Sequence, residues 1–144
     1  MSRSLSQSDL FKIIQDTTNR LAILEKLLSP IESWNEIGED GAPVFLNSWV
    51  NYGSTAATAA YYKDPFGVIR MKGLVKNGTA NQPIFQLPVG CRPSKDLYIA
   101  SFGDPQTIAY TLISASSGSV YAGITASGTN AYFSLDNVTF RAEQ

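Results

Sequence analysis

The stretch LFKIIQDTTNRLAILEKLLSPI, residues 10–31, sets the organisation of this chain. Its seam positions alternate in steps of four and three, namely Leu10, Ile14, Thr17, Leu21, Leu24, Leu28 and Ile31. A repeat of 3.5 residues is typical of helices that supercoil around copies of themselves. Ser8 with Asp9 offers an N-cap, and Pro30 marks the end of the helix. The pattern predicts a coiled coil that trimerises through these seven positions.

The width of the apolar stripe bears on the number of chains in the bundle. Phe11, Ile13 and Leu27 fall beside the seam, which favours three or more strands, although the seam chemistry alone leaves the number open. Arg20 and Glu25 have the spacing of an interchain ion pair in a parallel bundle. A lone helix of this length is marginal in water, so the stripe must find apolar partners. We predict a parallel homotrimer, and the alternative is an amphipathic helix that packs on its own domain.

From residue 43 the helical pattern gives way to short apolar and aromatic runs broken by Gly, Pro, Asn and Asp, which is typical of an all-β sandwich or barrel. We place strands at 44–52, 57–62, 68–75, 84–87, 97–102, 107–114, 119–123 and 132–141. About eight strands at these spacings suit a jelly-roll-like antiparallel β-sandwich. The sequence therefore predicts a mainly β protein in two parts. Residues 1–34 form a docking and trimerisation stalk, and residues 35–144 form the β-sandwich head.

The strand at 68–75 shows its two faces. Ile69, Met71 and Val75 share the face that should be core. The other face carries Arg70 and Lys72, which with Lys76 form a small basic strip. That strip fits a solvated strand face better than a phosphate contact.

Two further features of the head concern aromatic and uncharged residues. Trp49 lies in an alternating run and is predicted to be core, whereas Trp34 is expected to pack at the junction between stalk and head. The segment from residue 107 to 131 contains no charged residue. Within a trimer it could line the subunit interface or the tip that faces a ligand, and the sequence does not choose between them.

The composition excludes several classes of function. Histidine is absent and Cys91 is the only cysteine, which removes the usual general base, His- and Cys-based zinc sites and an intrachain disulfide. Residues 61–144 hold seven basic against five acidic residues, a surplus too small for nucleic-acid binding. No signal-peptide core opens the chain, and no run approaches the roughly 20 apolar residues of a membrane span. We expect no cofactor, no metal and no membrane insertion.

The acidic residues of the head do not suggest catalysis. A glycosidase needs two carboxylates about 5–10 Å apart on either side of a sugar. Besides the acids of the linker, the acids available fall on predicted turns or ends, namely Asp64, Asp96, Asp104, Asp136 and Glu143. Asp64 and Asp104 each precede a proline and are interpreted as turn formers. We predict that the protein is not an enzyme.

Several phrases of the head resemble one known module. FLNSWVNY at 45–52, YYKD at 61–64, GLV at 73–75, IFQLPVGCRP at 84–93 and YFSLDNVTF at 132–140 are similar to the C-terminal head of bacteriophage tail-fibre and baseplate proteins, mainly from phages of Gram-positive hosts. The resemblance spans residues 43–142, and the Leu-Pro-x-Gly-x-Arg-Pro phrase at 87–93 is its most specific part. Cys91 stands where the family often has an aromatic residue.

The resemblance implies a virion protein made in the host cytoplasm. It would be a homotrimeric receptor-binding protein at the tail tip or baseplate, docked onto other virion proteins through its N-terminus. Its head would adhere to host cell-wall polysaccharide or teichoic acid without cleaving it. The alternatives are a capsid head-fibre or decoration protein and the fibre tip of a phage-derived injection device.

Saccharide binding needs aromatic ring faces with hydrogen-bonding groups beside them. Two predicted turns, at 102–106 and 127–130, place such groups next to aromatic residues. Tyr98 and Arg92 are expected to lie near these turns. The predicted ligand-binding residues are therefore Arg92, Tyr98, Phe102, Asp104, Gln106 and Asn130.

Overall fold

The computed structural model describes residues 4–28, 33–104, 107–123 and 132–143. The chain divides into two compact units, Met1–Ile31 and Glu32–Gln144. The described part of the first unit contains helix α1 (Gln7–Leu28), and that of the second contains only β-strands as regular elements. These strands are β1 (Asn35–Glu36), β2 (Val50–Asn51), β3 (Ala60–Lys63), β4 (Val68–Lys72), β5 (Leu74–Lys76), β6 (Pro83–Gln86), β7 (Leu97–Gly103), β8 (Thr107–Ile113), β9 (Ser119–Gly123), β10 (Phe133–Ser134) and β11 (Thr139–Arg141).

The cap of α1 is Ser6, so the prediction that Ser8 caps the helix is wrong. The Ser6 hydroxyl accepts the Asp9 N–H at 3.1 Å, and the Asp9 carboxylate accepts the Ser6 N–H at 3.3 Å. Hydrogen bonds from the Ser6 side chain and backbone lower the pKa of Asp9. This reciprocal pair needs an acid three residues after the cap, as in a capping box. Ser6 has Asp9 there, whereas Ser8 has Phe11.

Every described side chain of α1 is exposed within the single chain. At the seam, Leu10 is 46% exposed, Ile14 63%, Leu21 54% and Leu24 53%. Thr17 is exposed as well, the side chain of Leu28 is not described, and Ile31 lies outside the described residues. In the described part of the chain, no helix is long and apolar enough to cross a membrane.

The Arg20 guanidinium lies 3.2 Å from the Asp16 carboxylate one turn earlier on the same helix. Both side chains are largely exposed, so this pair contributes at most about 0.5 kcal/mol. The interchain ion pair of Arg20 with Glu25 stays a prediction.

The strands form two antiparallel sheets, which confirms the mainly β, antiparallel prediction. The smaller sheet has the order β1-β3-β4-β11, and the larger has the order β2-β5-β10-β7-β8-β9-β6. The longest pairing joins β7 and β8 in register from Leu97 opposite Ile113 to Gly103 opposite Thr107. This hairpin lies in the middle of the larger sheet.

The segment predicted as one strand at 68–75 is two strands that break at Gly73. Gly73 has φ +115°, and a Cβ there would lie 2.5 Å from the backbone of Thr58 and Ala59, so only glycine fits. The break sends β4 into the smaller sheet and β5 into the larger one. Ile69, Met71 and Val75 are nevertheless all buried, as predicted, because the inner faces of both sheets contribute to one hydrophobic core.

Two other predicted strands are shorter than expected. The run at 44–52 contains only β2, because Asn47 and Ser48 adopt φ of 49° and 64°, which no strand accommodates. The run at 132–141 is divided into β10 and β11 by a turn in which Asn137 has φ 71°. Polar residues with positive φ therefore end strands that the apolar pattern alone would continue.

Trp49 lies in the centre of the core, as predicted, and is 1% exposed. Its ring lies 6.4 Å from that of Phe133 in an edge-to-face arrangement. A Cβ on Gly78 would lie 1.8 Å from the indole, so the turn after β5 packs its backbone directly on this ring. Through these contacts, the core holds strands of the larger sheet in position from the inner face of that sheet.

Candidate functional site

The outer face of the larger sheet is lined with aromatic and aliphatic side chains. Along β7 exposed residues alternate with less exposed ones, so Tyr98, Ala100 and Phe102 face outward. The register puts Leu112, Tyr110 and Ile108 of β8 directly opposite them, and Tyr121 of β9 opposite Leu112. We call this surface, with two flanking rings, the aromatic face: Tyr52, Tyr98, Ala100, Phe102, Ile108, Tyr110, Leu112, Tyr121 and Tyr132.

The rings of the aromatic face contact one another in two groups. Tyr98 and Tyr110 lie 5.6 Å apart between centroids. The Tyr132 ring lies 6.2 Å from both Phe102 and Tyr52. Rings at these separations fix one another in position, which leaves a pre-formed surface.

The exposure of this surface is unusual for a sheet that faces water. Tyr98 is 69% exposed, Phe102 48% and Ile108 79%. None of the residues that define the aromatic face carries a charge, and Lys76 stands at its margin with its ammonium 5.2 Å from the centre of the Tyr52 ring. Such a face can stack on other apolar groups or offer tyrosine hydroxyls, but it supplies no ion pairs.

The structure brings together some of the predicted ligand-binding residues. Tyr98 and Phe102 share the aromatic face, four residues apart on β7, which is about 13 Å along a strand. Asp104 follows the end of β7, where its N–H donates to the Tyr132 carbonyl at 3.0 Å. Gln106 and Asn130, with the turn at 127–130, lie outside the described residues.

Arg92 lies at the other end of the β7–β8 hairpin, so the expectation that it neighbours the 102–106 turn is wrong. Its Nε donates to the Leu87 carbonyl and its Nη1 to the Ser116 carbonyl, both at 3.0 Å. Ser116 belongs to the turn that follows β8, whose last residue Ile113 pairs with the first residue of β7. Without the hairpin register, closeness in sequence could not reveal this separation.

Three acids of the head hold loops together through backbone donors. One Asp64 oxygen accepts the N–H groups of Phe66, in the turn, and of Val68, at the start of β4, at 2.9 Å each, as the turn-former prediction requires. Asp136 accepts the Gly73 N–H at 2.8 Å, and Asp96 accepts the Ala115 N–H at 2.8 Å. Over the described ranges, which omit 29–32, 105–106, 124–131 and the chain ends, no three His, Cys, Asp or Glu side chains group as metal ligands would. These carboxylates therefore have structural roles in the loops they join.

A second surface, on the smaller sheet, combines aromatic and charged groups. The Trp34 ring meets the Tyr62 ring edge-on at 4.6 Å, and the Lys72 ammonium lies 4.7 Å from the centre of the Trp34 ring. Lys72 also pairs with Glu36 at 3.0 Å, and Glu36 accepts the Thr58 hydroxyl. We call these five residues the polar cluster.

Sequence reasoning did not identify the polar cluster as a site. Its members come from separate segments that only the pairing of β1, β3 and β4 brings together. Strand β1 has two residues, too few to show an alternating pattern. The one available signal was Lys72, which the alternation of β4 had placed on the outer face.

No family model matches the chain, and neither a curated protein nor a solved structure is significantly similar to it. The resemblance of residues 43–142 to phage head modules therefore stays a prediction.

Proposed function

We propose that this chain is a homotrimeric, non-enzymatic receptor-binding protein of a bacteriophage tail tip or baseplate, which adheres to saccharides of the host cell wall. The observation that carries the proposal is the seam of α1, where four leucine and isoleucine side chains are about half exposed in the single chain. A helix with such a stripe gains stability only when apolar partners cover it. Three identical helices cover it in a parallel coiled coil.

The proposed assembly presents three heads from one stalk. The 22 residues of α1 make a rod about 33 Å long. The N-terminal residues would dock onto other virion proteins, and the head would be a jelly-roll-like β-sandwich built from the two sheets. Three equivalent sites on one particle component bind a repetitive polymer far more tightly than one site does, because the second and third contacts form intramolecularly.

We infer that the saccharide binds at the polar cluster. Trp34 is 37% exposed and offers a ring on which the apolar face of a sugar can stack. The Lys72–Glu36 pair beside it supplies a donor and an acceptor for sugar hydroxyls, with both side chains about one-third exposed. Around Tyr98, Phe102 and Asp104, the described residues of the site predicted from the sequence offer two rings with the Tyr98 hydroxyl and the Asp104 carboxylate as hydrogen-bonding groups. This location is the second one to test.

The test measures binding of the fluorescently labelled full chain to purified walls from a panel of Gram-positive bacteria. Each wall is used before and after removal of phosphate-linked polymers, which separates polysaccharide from teichoic acid as receptor. We expect W34A to lose at least tenfold in apparent affinity. The control F66A removes an aromatic side chain that is 70% exposed in a turn, and it should bind like the parent protein.

Other outcomes would count against the proposal. Loss of binding in Tyr98→Ala or Phe102→Ala, with W34A unaffected, would move the site to the aromatic face. Protein that labels purified capsids and binds no wall of the panel would contradict the attachment role and favour the decoration protein.

A further inference from the structure

The two outer sheet faces of the head differ in chemistry. On the smaller sheet, Arg70 and Arg141 are exposed and Lys72 is partly exposed. On the larger sheet, three directly opposed pairs of β7 and β8 are apolar or aromatic throughout: Tyr98 with Leu112, Ala100 with Tyr110, and Phe102 with Ile108. A strand face that meets water normally carries polar residues at these positions. Contiguous exposed apolar residues mark an interaction surface.

We propose that the aromatic face is buried against the same face of other copies of this chain, so that the heads pack on one another as well as the helices. This inference rests on the trimerisation proposed above and does not depend on saccharide binding. Three such faces would meet around a common axis, and each would contact both neighbours.

The size of the face fits a partner that is already held nearby. Strands β7 and β8 have seven residues each, β9 has five and β10 has two. At about 3.3 Å per residue and about 4.8 Å between strands, they give a flat area on the order of 330 Å². A stable interface of standard size needs about 800 Å² from each partner. The aromatic face alone is too small for a strong complex between separate molecules. Copies joined by their helices, however, meet at an effective concentration in the millimolar range, where a face of this size suffices.

The chemistry of the face also favours a copy of the chain over other occupants. Among the residues that define the face, the only hydrogen-bonding side-chain groups are tyrosine hydroxyls, and the aliphatic side chains of Ile108 and Leu112 lie between them. A saccharide site usually adds carboxylate or amide groups to such hydroxyls, and a nucleic acid needs cations. A flat, uncharged surface that packs against the same surface of another copy needs neither polar groups nor cations, because both sides of the contact are apolar.

The experiment places a photoreactive side chain in the full-length protein. Phe102→p-benzoylphenylalanine puts a benzophenone on the aromatic face, and the control Phe66→p-benzoylphenylalanine puts it in an exposed turn far from β7 in sequence. After irradiation, we expect the first protein to form covalent dimers and trimers whose cross-linked peptides come from 97–123 of another copy. The control should stay mainly uncross-linked at the same concentration.

A parallel measurement of mass in solution distinguishes a failure of this inference from a failure of the proposed function. A trimer in which position 102 gives no intermolecular cross-links overturns this inference and leaves the proposed function standing. A chain that is monomeric at all concentrations tested overturns both. As an independent check, Ile108→Lys should raise the concentration at which the assembly half-dissociates at least tenfold, whereas Val89→Lys, at an aliphatic side chain that is also 79% exposed, should leave it unchanged. Equal effects of these two variants would contradict the inference.

Discussion

Replacing one seam leucine by serine tests the coiled coil quantitatively. Leu24 lies on the seam and is 53% exposed in the single chain. Burying a whole leucine side chain stabilises by about 1.5–3 kcal/mol, so covering the remaining half contributes about 1 kcal/mol. Leu24→Ser removes this from each of three chains, about 3 kcal/mol per trimer, which weakens the association constant by roughly 150-fold. The half-dissociation concentration varies as the square root of that constant and should rise about tenfold.

The matched control is the neighbouring residue, Ile23. It is 61% exposed, but it falls outside both the seam and the residues that flank it. Ile23→Ser costs a similar amount of helix propensity, because serine replaces an aliphatic residue in both variants. Sedimentation equilibrium over a dilution series should therefore show the tenfold shift for Leu24→Ser and less than a twofold shift for Ile23→Ser. Equal shifts for the two variants would refute a seam between identical chains.

Two further predictions concern the fold. Gly73→Ala should destabilise the head by about 3 kcal/mol or more, because the added Cβ meets backbone atoms at 2.5 Å. The control Gly41→Ala, at φ +82° with open space around it, should destabilise it by only about 1 kcal/mol. Thermal unfolding that ranks the two variants the other way would contradict the strand break. Hydrogen bonds with Ser6 lower the pKa of Asp9, so the cap contributes fully to the stability of α1 above about pH 5, and this contribution is lost as the pH falls through the lowered pKa. Helical circular dichroism should follow that loss in the parent protein and much less in Ser6→Ala, and identical acid titrations would exclude the cap.

Much of the fold could be predicted from residue patterns. The helix shows its period over three turns and more, and Ile69, Met71 and Trp49 are buried where alternation put them. Strand breaks were harder to predict, because apolar runs continue through them. Gly73 ends a strand through the close approach of another backbone segment, which depends on tertiary structure and not on local sequence.

The site was less predictable than the fold, for a physical reason. In 97–103 and 107–113, apolar residues occupy both alternate sets of positions, so the period of two does not say which set faces the core. The lack of charge between residues 107 and 131 singled out this region but did not show which face of the sheet it lines. The polar cluster forms only through pairing between short strands, and the position of Arg92 depends on the register of a hairpin. Neither can be read from local sequence.

The central claim is that this chain is a component of a trimer. Native mass spectrometry of the purified full-length protein at micromolar concentration tests it most directly. We predict a species at three times the 15.6 kDa mass of one chain. A single species at the mass of one chain, unchanged as the concentration rises, would contradict it.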